Sequence, residues 1–416
     1  MLQNLKEKTV RFLRWSEKYT KTDMVYLAKG GGWLAFGKAF QTLAGLGLAI
    51  GFANLLPQET YGSYKYIISL ASVIGIFSLN GLGTAITQAT ARGYEGSLRH
   101  GFKEMFRWSI GLVVVALGCA GYYYLQGNVE FAAAMVIIAV SYPILKSSGL
   151  YQSFLDGKKE FKTRSMYLII WEIIEVGALI LTLLLSNSLL TILAVFFATN
   201  SVPPLLLYFR TLQKYQPSDE LDPETAAYSK HLSVINAIRT IGNHIDKVLV
   251  FQFIGPMQLA IYSFAVLPVE KAWGLLGSIQ ILALPKFSAN KKEVLQKTLP
   301  KKILPLLIFC FLLLIIFLLV IPHLFELIFP RYLKAIPYAQ VYSVIFLLYP
   351  AMLFEQALTA QAEEKALYMV SLSENIIKII LILVLLPLYG IWGGVSALIL
   401  TKLIKVVLST YFFYKM

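Results

Sequence analysis

The stretch Ile235–Gly255, INAIRTIGNHIDKVLVFQFIG, decides between a soluble fold and a membrane fold. Its length and apolar residues suit one bilayer crossing, which takes about 20 mostly apolar residues. Yet Arg239, His244, Asp246 and Lys247 lie inside it. At about 100° per residue, Asn236, Arg239, Asn243 and Asp246 fall within one narrow stripe of a helix, with Ile241, Ile245 and Val248 on the opposite side. Lipid offers such a stripe no hydrogen bonds, so the stripe must face protein or a wet cavity.

The rest of the chain sets the context. Of its 416 residues 57% are hydrophobic and 14% charged, and mean hydropathy is +0.66. Soluble domains average about 25% charged and roughly 45–50% apolar residues, so the composition points to an integral membrane protein. Twelve candidate spans follow: 31–52, 62–85, 105–126, 130–150, 166–186, 188–208, 232–253, 258–284, 303–329, 338–360, 367–387 and 391–412. Pro143, Pro203, Pro204 and Pro268 interrupt three of them, which membrane helices tolerate better than soluble ones.

The formal net charge is +14. Nucleic-acid binding would gather the basic residues on a polar face, but here they sit in short segments between apolar runs. Cys119 and Cys310 lie within apolar runs, no CxxC occurs, and His100, His231, His244 and His323 show no HxxxH spacing. Neither a disulfide framework nor a metal site is expected. The N-terminal MLQNLKEKTVRFLRWSEKYTKTD lacks the continuous apolar core of a signal peptide. Leu5, Phe12 and Tyr19 recur every seven residues between basic residues, which suits a helix on the membrane surface or a solvated basic tail.

Lysine and arginine mark the cytoplasmic connections of membrane proteins. With a cytoplasmic N-terminus, twenty-five of the 37 basic residues fall in inward segments, and only Arg331 and Lys334 fall outward. Both termini are therefore expected in the cytoplasm. The outward connections, such as SNS (186–188) and QGNV (126–129), are little more than turns.

Residues 210–230, RTLQKYQPSDELDPETAAYSK, form the long polar connection between spans. Read as a cytoplasmic linker, it separates a six-helix bundle over 30–209 from a second over 231–416, after a basic segment 1–29. The halves echo each other. LLPQETYGSYKYIISL from Leu55 parallels FIGPMQLAIYSFAVL from Phe253, with a proline several residues ahead of Tyr64 and of Tyr262. Both halves start inside, so the repeat is parallel, a transporter plan with the substrate site between halves. The expected fold is an all-α integral membrane protein: twelve transmembrane helices in two six-helix bundles around a central cavity.

Charges inside spans are costly, about 2.5–3.5 kcal/mol each on insertion scales. Lys65, Arg107, Lys146 and Lys405 lie near span ends, where long side chains reach the interface. Lys38 and Gln41 share a face of the first span. Glu172 and Glu175 sit at i,i+3 in the fifth, Glu270 and Lys271 in the eighth, Glu355 in the tenth and Lys402 in the twelfth. In the eleventh span, Glu374 is placed to pair with Lys378 at i,i+4. Lys38, Arg239 and Lys271 are the candidate anion binders of one shared basic cavity, Arg239 by bidentate contact with phosphate, with Lys378 and Lys402 as further cations. Asp246, Glu270, Glu172, Glu175 and Glu374 are either structural partners or carboxylates for a coupling ion.

Several stretches carry a family resemblance. Leu55–Gly93, with GLGTA at Gly81–Ala85 and with Arg92, His244–Ala265, and Leu327–Leu348 resemble the polysaccharide and O-antigen flippases of the multidrug/oligosaccharidyl-lipid/polysaccharide exporter superfamily, from which the PRY at Pro330–Tyr332 departs, standing where the family more often has a glycine-containing turn. The likeness runs over nearly the whole chain and rests on order and spacing. It implies a non-enzymatic flippase of the cell membrane that moves undecaprenyl-pyrophosphate-linked oligosaccharide to the outer leaflet by alternating access. It further implies no cofactor beyond a coupling proton or sodium ion, and glycosyltransferases and a polymerase as partners. Under it, Lys38, Arg239 and Lys271 bind pyrophosphate, and Asn236, Gln41 and Asn243 bind sugar.

Four alternatives stand beside it. A multidrug exporter should carry an acidic interior, whereas the first span carries Lys38. Exporters of lipid II or teichoic-acid precursors are nearer rivals. A polymerase would need a long outward loop, and passive scaffolding gains nothing from charged interiors.

Overall fold

In the computed structural model, which describes residues 24–288 and 290–416, every regular element is helical. In chain order the helices are α1 (Met24–Leu55), α2 (Gln58–Ile74), α3 (Leu82–Ala91), α4 (Ser97–Leu125), α5 (Val129–Ser148), α6 (Leu150–Gly157), α7 (Phe161–Leu185), α8 (Leu189–Tyr215), α9 (Thr225–Ile254), α10 (Pro256–Ser288), α11 (Lys292–Thr298), α12 (Pro300–Ile328), α13 (Ile336–Tyr342), α14 (Met352–Ala360), α15 (Glu364–Tyr389) and α16 (Ile391–Lys415). The surface helix or tail expected over residues 1–23 lies outside the described residues.

Among the described residues, 10 helical spans are long and apolar enough to cross a bilayer, or 11 when the bent pair α2–α3 counts as one. The chain is a multi-pass membrane protein, but the count of twelve is not reached. The candidate left out of this count is the opening stretch: its helix, α9, is 30 residues long and so long enough to cross, but Asn236, Arg239, Asn243, Asp246 and Lys247 lower its hydropathy.

Two other spans are broken where the sequence suggested continuity. The second bends by 59° between α2 and α3, after a 3-10 turn at Gly75–Phe77. At the break, the Gly81 N–H donates to Ser233 Oγ at 2.9 Å. A Cβ at Gly81 would collide with the Ser229 carbonyl, so the contact requires glycine. The tenth span, Pro330–Ala360, is assembled from 3-10 segments Pro330–Ala335 and Ser343–Ala351 around α13, followed by α14. Pro337 and Pro350 lack the N–H that a continuous α-helix needs.

The helices form two compact units. One comprises residues up to Gly51, Phe77–Ser186 and Leu190–Val234; the other comprises Phe52–Ile76, Asn187–Leu189 and Ile235–Met416. The core of the first gathers Leu82, Ile86, Leu98, Met105, Tyr151, Phe154 and Tyr208. The same unit holds the polar connection between α8 and α9. Asp222 pairs with Arg92, Arg99 Nη1 lies 2.9 Å from Asp219 Oδ1, and the Gly96 N–H donates to the Glu220 carbonyl at 3.0 Å. Helix claims both ends of the expected linker, and residues 216–224 between them are strapped to the unit.

In the second unit the echoed segments pack on each other. Pro57 precedes α2 and Pro256 begins α10, in keeping with proline's preset helical φ and missing donor. The two helices approach at Gly62, where a Cβ would collide with the Pro256 carbonyl. Around this crossing the rings of Tyr61 and Phe264 lie 5.0 Å apart, and those of Phe264 and Tyr332 4.0 Å apart. Such aromatic pairs contribute about 0.5–1.5 kcal/mol each beyond area burial. Gln252 Nε2 donates to the Tyr66 hydroxyl at 2.7 Å and ties α9 to α2.

Candidate functional site

The polar stripe of α9 opens onto a cavity of about 710 Å³ within the second unit. Arg239, Asn243, His244 and Lys247 line it from α9, Glu270 from α10 and Tyr342 from α13. Glu355 and Thr359 line it from α14, Ser371, Glu374, Asn375 and Lys378 from α15, and Thr401, Lys402 and Lys405 from α16. α15 reaches α9 closely because Gly242 has no side chain; a Cβ there would collide with the Asn375 amide oxygen.

Among the described residues the charges form two networks, with Arg239 and Glu270 outside both. In the first network Asp246, 2% exposed, accepts a hydrogen bond from the Tyr262 hydroxyl at 3.0 Å. Lys247 Nζ stands 3.3 Å from its Oδ2 and Lys378 Nζ 3.8 Å from its Oδ1. In the second, Glu374 bridges Lys402 Nζ at 3.0 Å and Lys405 Nζ at 3.1 Å, and Lys405 also meets Glu355 Oε1 at 3.1 Å. Arg239 is exposed on the cavity wall, and among the described residues it has no ion pair.

This arrangement redistributes the roles expected from the sequence. Arg239, Asn243, Lys378, Lys402, Glu270 and Glu374 come together on one wall system, and Asp246 anchors two of the lysines. The intrahelical pair Glu374–Lys378 is replaced. Each side chain takes an interhelical partner instead, because helix packing brings closer opposite charges than the i,i+4 neighbour. Asp246 likewise pairs with Lys247 and Lys378 and not with Arg239. Lys405 does not reach for the interface; its ammonium is clamped between two carboxylates. Lys271 and Asn236 belong to the second unit but are not among the residues lining this cavity.

The remaining candidates are in the first unit. Lys38 Nζ donates to Gln41 Oε1 at 2.8 Å, and Gln41 Nε2 donates to Glu172 Oε2 at 3.4 Å. Glu175 lies near Asn200, whose Nδ2 donates to the Phe196 carbonyl at 2.9 Å. Sequence reasoning gave no site role to Lys405 or Glu355. The available signal was the i,i+3 spacing of Lys402 and Lys405, which puts two lysines on one face of α16. Lys65, expected to snorkel, instead places its ammonium 5.4 Å from the centre of the Tyr61 ring, within the range of a cation–π contact.

The sequence pattern of the family described as "Polysaccharide biosynthesis protein" matches residues 27–291. No curated protein matches the chain at the level of sequence. Solved structures do match its fold. A multidrug resistance MATE family transporter of the MOP superfamily, in an outward-facing conformation, is 12% identical over 94% of this chain and 94% of that one, with a TM-score of 0.64. The lipid II flippase MurJ, in an inward closed conformation, is 14% identical over 91% of this chain and 86% of its own, with a TM-score of 0.65. A MOP superfamily transporter from Pyrococcus furiosus, described as having a binding pocket of reverse polarity that suggests a different function, is 12% identical over 94% of both chains, with a TM-score of 0.60. At such identities the likeness establishes a shared fold.

Proposed function

Because the chain belongs to the polysaccharide biosynthesis protein family, we propose that it is a flippase for an oligosaccharide linked to undecaprenyl pyrophosphate. It carries the substrate from the cytoplasmic to the outer leaflet of the cell membrane by alternating access, and both termini are cytoplasmic. The observation that carries this reading is Arg239, an exposed guanidinium on the wall of a polar cavity with no ion pair among the described residues. A planar guanidinium binds phosphate oxygens in bidentate fashion. Asn243, Ser371, Asn375 and Thr401 offer hydrogen bonds to sugar hydroxyls beside it.

Pocket charge and fold are separable, as the description of the Pyrococcus furiosus transporter illustrates. The charge of the present cavity therefore weighs more than its fold in choosing a substrate. A cationic drug entering here meets an unpaired arginine; a pyrophosphate meets a partner. The coupling ion of this cycle is a proton or sodium ion, and glycosyltransferases and a polymerase are the proposed partners.

Ligand selectivity tests the reading. Undecaprenyl pyrophosphate at 100 times its Kd should stabilise the purified protein by about 2.7 kcal/mol, seen as a raised melting temperature that weakens with added salt. A cationic amphiphile should leave the melting temperature unchanged. Stabilisation by the cationic amphiphile alone would move the chain to the multidrug exporters.

A further inference from the structure

Lys402 and Lys405 line the cavity, yet both are already engaged. Glu374 and Glu355 hold them at 3.0–3.1 Å, and side-chain exposure within the cluster runs from 14% for Lys405 to 28% for Lys402. The cluster draws on α14, α15 and α16 and faces Arg239, His244 and Lys247 of α9, Glu270 of α10, Tyr342 of α13 and Lys378 of α15. Lys247 and Lys378 are in turn occupied by Asp246.

Charge balance gives the cluster a function. Arg239, Lys247, Lys378, Lys402 and Lys405 are matched by Asp246, Glu270, Glu355 and Glu374, which leaves one positive charge in excess. A pyrophosphate diester between a lipid and a sugar carries two acidic oxygens. Its entry alone would turn that excess into a deficit, and its phosphates would compete with carboxylates seated at hydrogen-bond distance. Proton uptake by both glutamates restores the balance and releases the lysines. A protonated carboxyl also keeps one O–H donor, which serves a phosphate oxygen.

We propose that Glu355 and Glu374 form a proton-binding site that hands Lys402 and Lys405 to the pyrophosphate, so that protons and lipid-linked substrate bind together. This rests on the flippase reading above. Substrate and proton are co-bound in the loaded state, and release of the substrate returns the glutamates to their lysines.

The test titrates purified protein with an undecaprenyl-pyrophosphate-linked oligosaccharide, a diester with no phosphate group titrating near neutrality, in weak buffer containing a pH indicator, alongside affinities from about pH 6 to 8. Wild type should take up about one to two protons per bound lipid, and its affinity should rise roughly tenfold per proton for each unit of falling pH. Glu374→Gln and Glu355→Gln should each take up fewer protons and bind more tightly at the alkaline end. Difference infrared spectroscopy of wild type should show a protonated-carboxyl band appearing on binding, a readout that needs no variant. A wild type that binds the lipid with no proton uptake and a flat pH profile overturns this inference and leaves the flippase reading intact. Proton uptake undiminished in both glutamine variants overturns the assignment to these glutamates. A wild type that binds no polyprenyl pyrophosphate at any pH overturns the flippase reading itself and this inference with it.

Discussion

Replacing Arg239 by alanine is expected to weaken binding of undecaprenyl pyrophosphate by roughly 10- to 100-fold while leaving the melting temperature near that of wild type. The magnitude follows from losing hydrogen bonds to a charged group, about 1.5–3 kcal/mol. The unchanged stability follows from the absence of an ion-pair partner among the described residues: truncation orphans no carboxylate. Arg239→Lys keeps the charge but loses the forked donors that match phosphate, and it should fall between the two. Titration and thermal melting on the same preparations check this. An alanine variant that binds like wild type would remove Arg239 from the site.

The second large effect concerns Asp246. This carboxylate is buried and serves Tyr262, Lys247 and Lys378 at once. Asp246→Ala leaves two ammonium groups without their counter-charge, and breaking a buried pair in this way costs about 3–5 kcal/mol. The variant should melt well below wild type or fail to accumulate. Replacing the ion partners together by apolar groups is often nearly neutral, so Asp246→Leu with Lys247→Met and Lys378→Met should recover much of the loss. Thermal melting of the single and triple variants decides the point. A single variant as stable as wild type would mean that the network contributes nothing to the fold.

The membrane fold was legible in the apolar runs. Pro300–Ile328, with a mean hydropathy of 3.4, reads as a span on sight. What the runs did not show was where backbone continuity fails. Gly75 and Gly81 break the second span, and Pro337 and Pro350 the tenth, because local chemistry allows a bend that only packing makes necessary. The opening stretch carried both lessons. Its polar stripe told that α9 faces a cavity, and the same stripe keeps α9 out of a count made on hydropathy alone.

The site was half legible for a related reason. Helical periodicity fixes which side chains share a face, so Arg239 and Asn243 could be grouped from sequence. Periodicity is silent on what sits across the gap. Glu374 had an apparent partner one turn away in Lys378, but the fold sets Lys402 and Lys405 of α16 opposite it. Lys405 was read as a snorkelling residue from its place near a span end, and Glu355 and Glu374 together hold it inward. Choices of this kind depend on the packing of three helices, and no window of sequence contains them.

The central claim is transport of a lipid-linked pyrophosphate, and the direct measurement is leaflet crossing. Protein reconstituted into liposomes with a fluorescent undecaprenyl-pyrophosphate oligosaccharide is followed by dithionite quenching of the outer leaflet. Without protein, about half of the fluorescence should survive, since the inner leaflet is protected while charged headgroups cross a bilayer core slowly. With wild-type protein, quenching should proceed well beyond that half as labelled lipid moves outward. Quenching that halts at the protein-free level across several glycans would contradict the account.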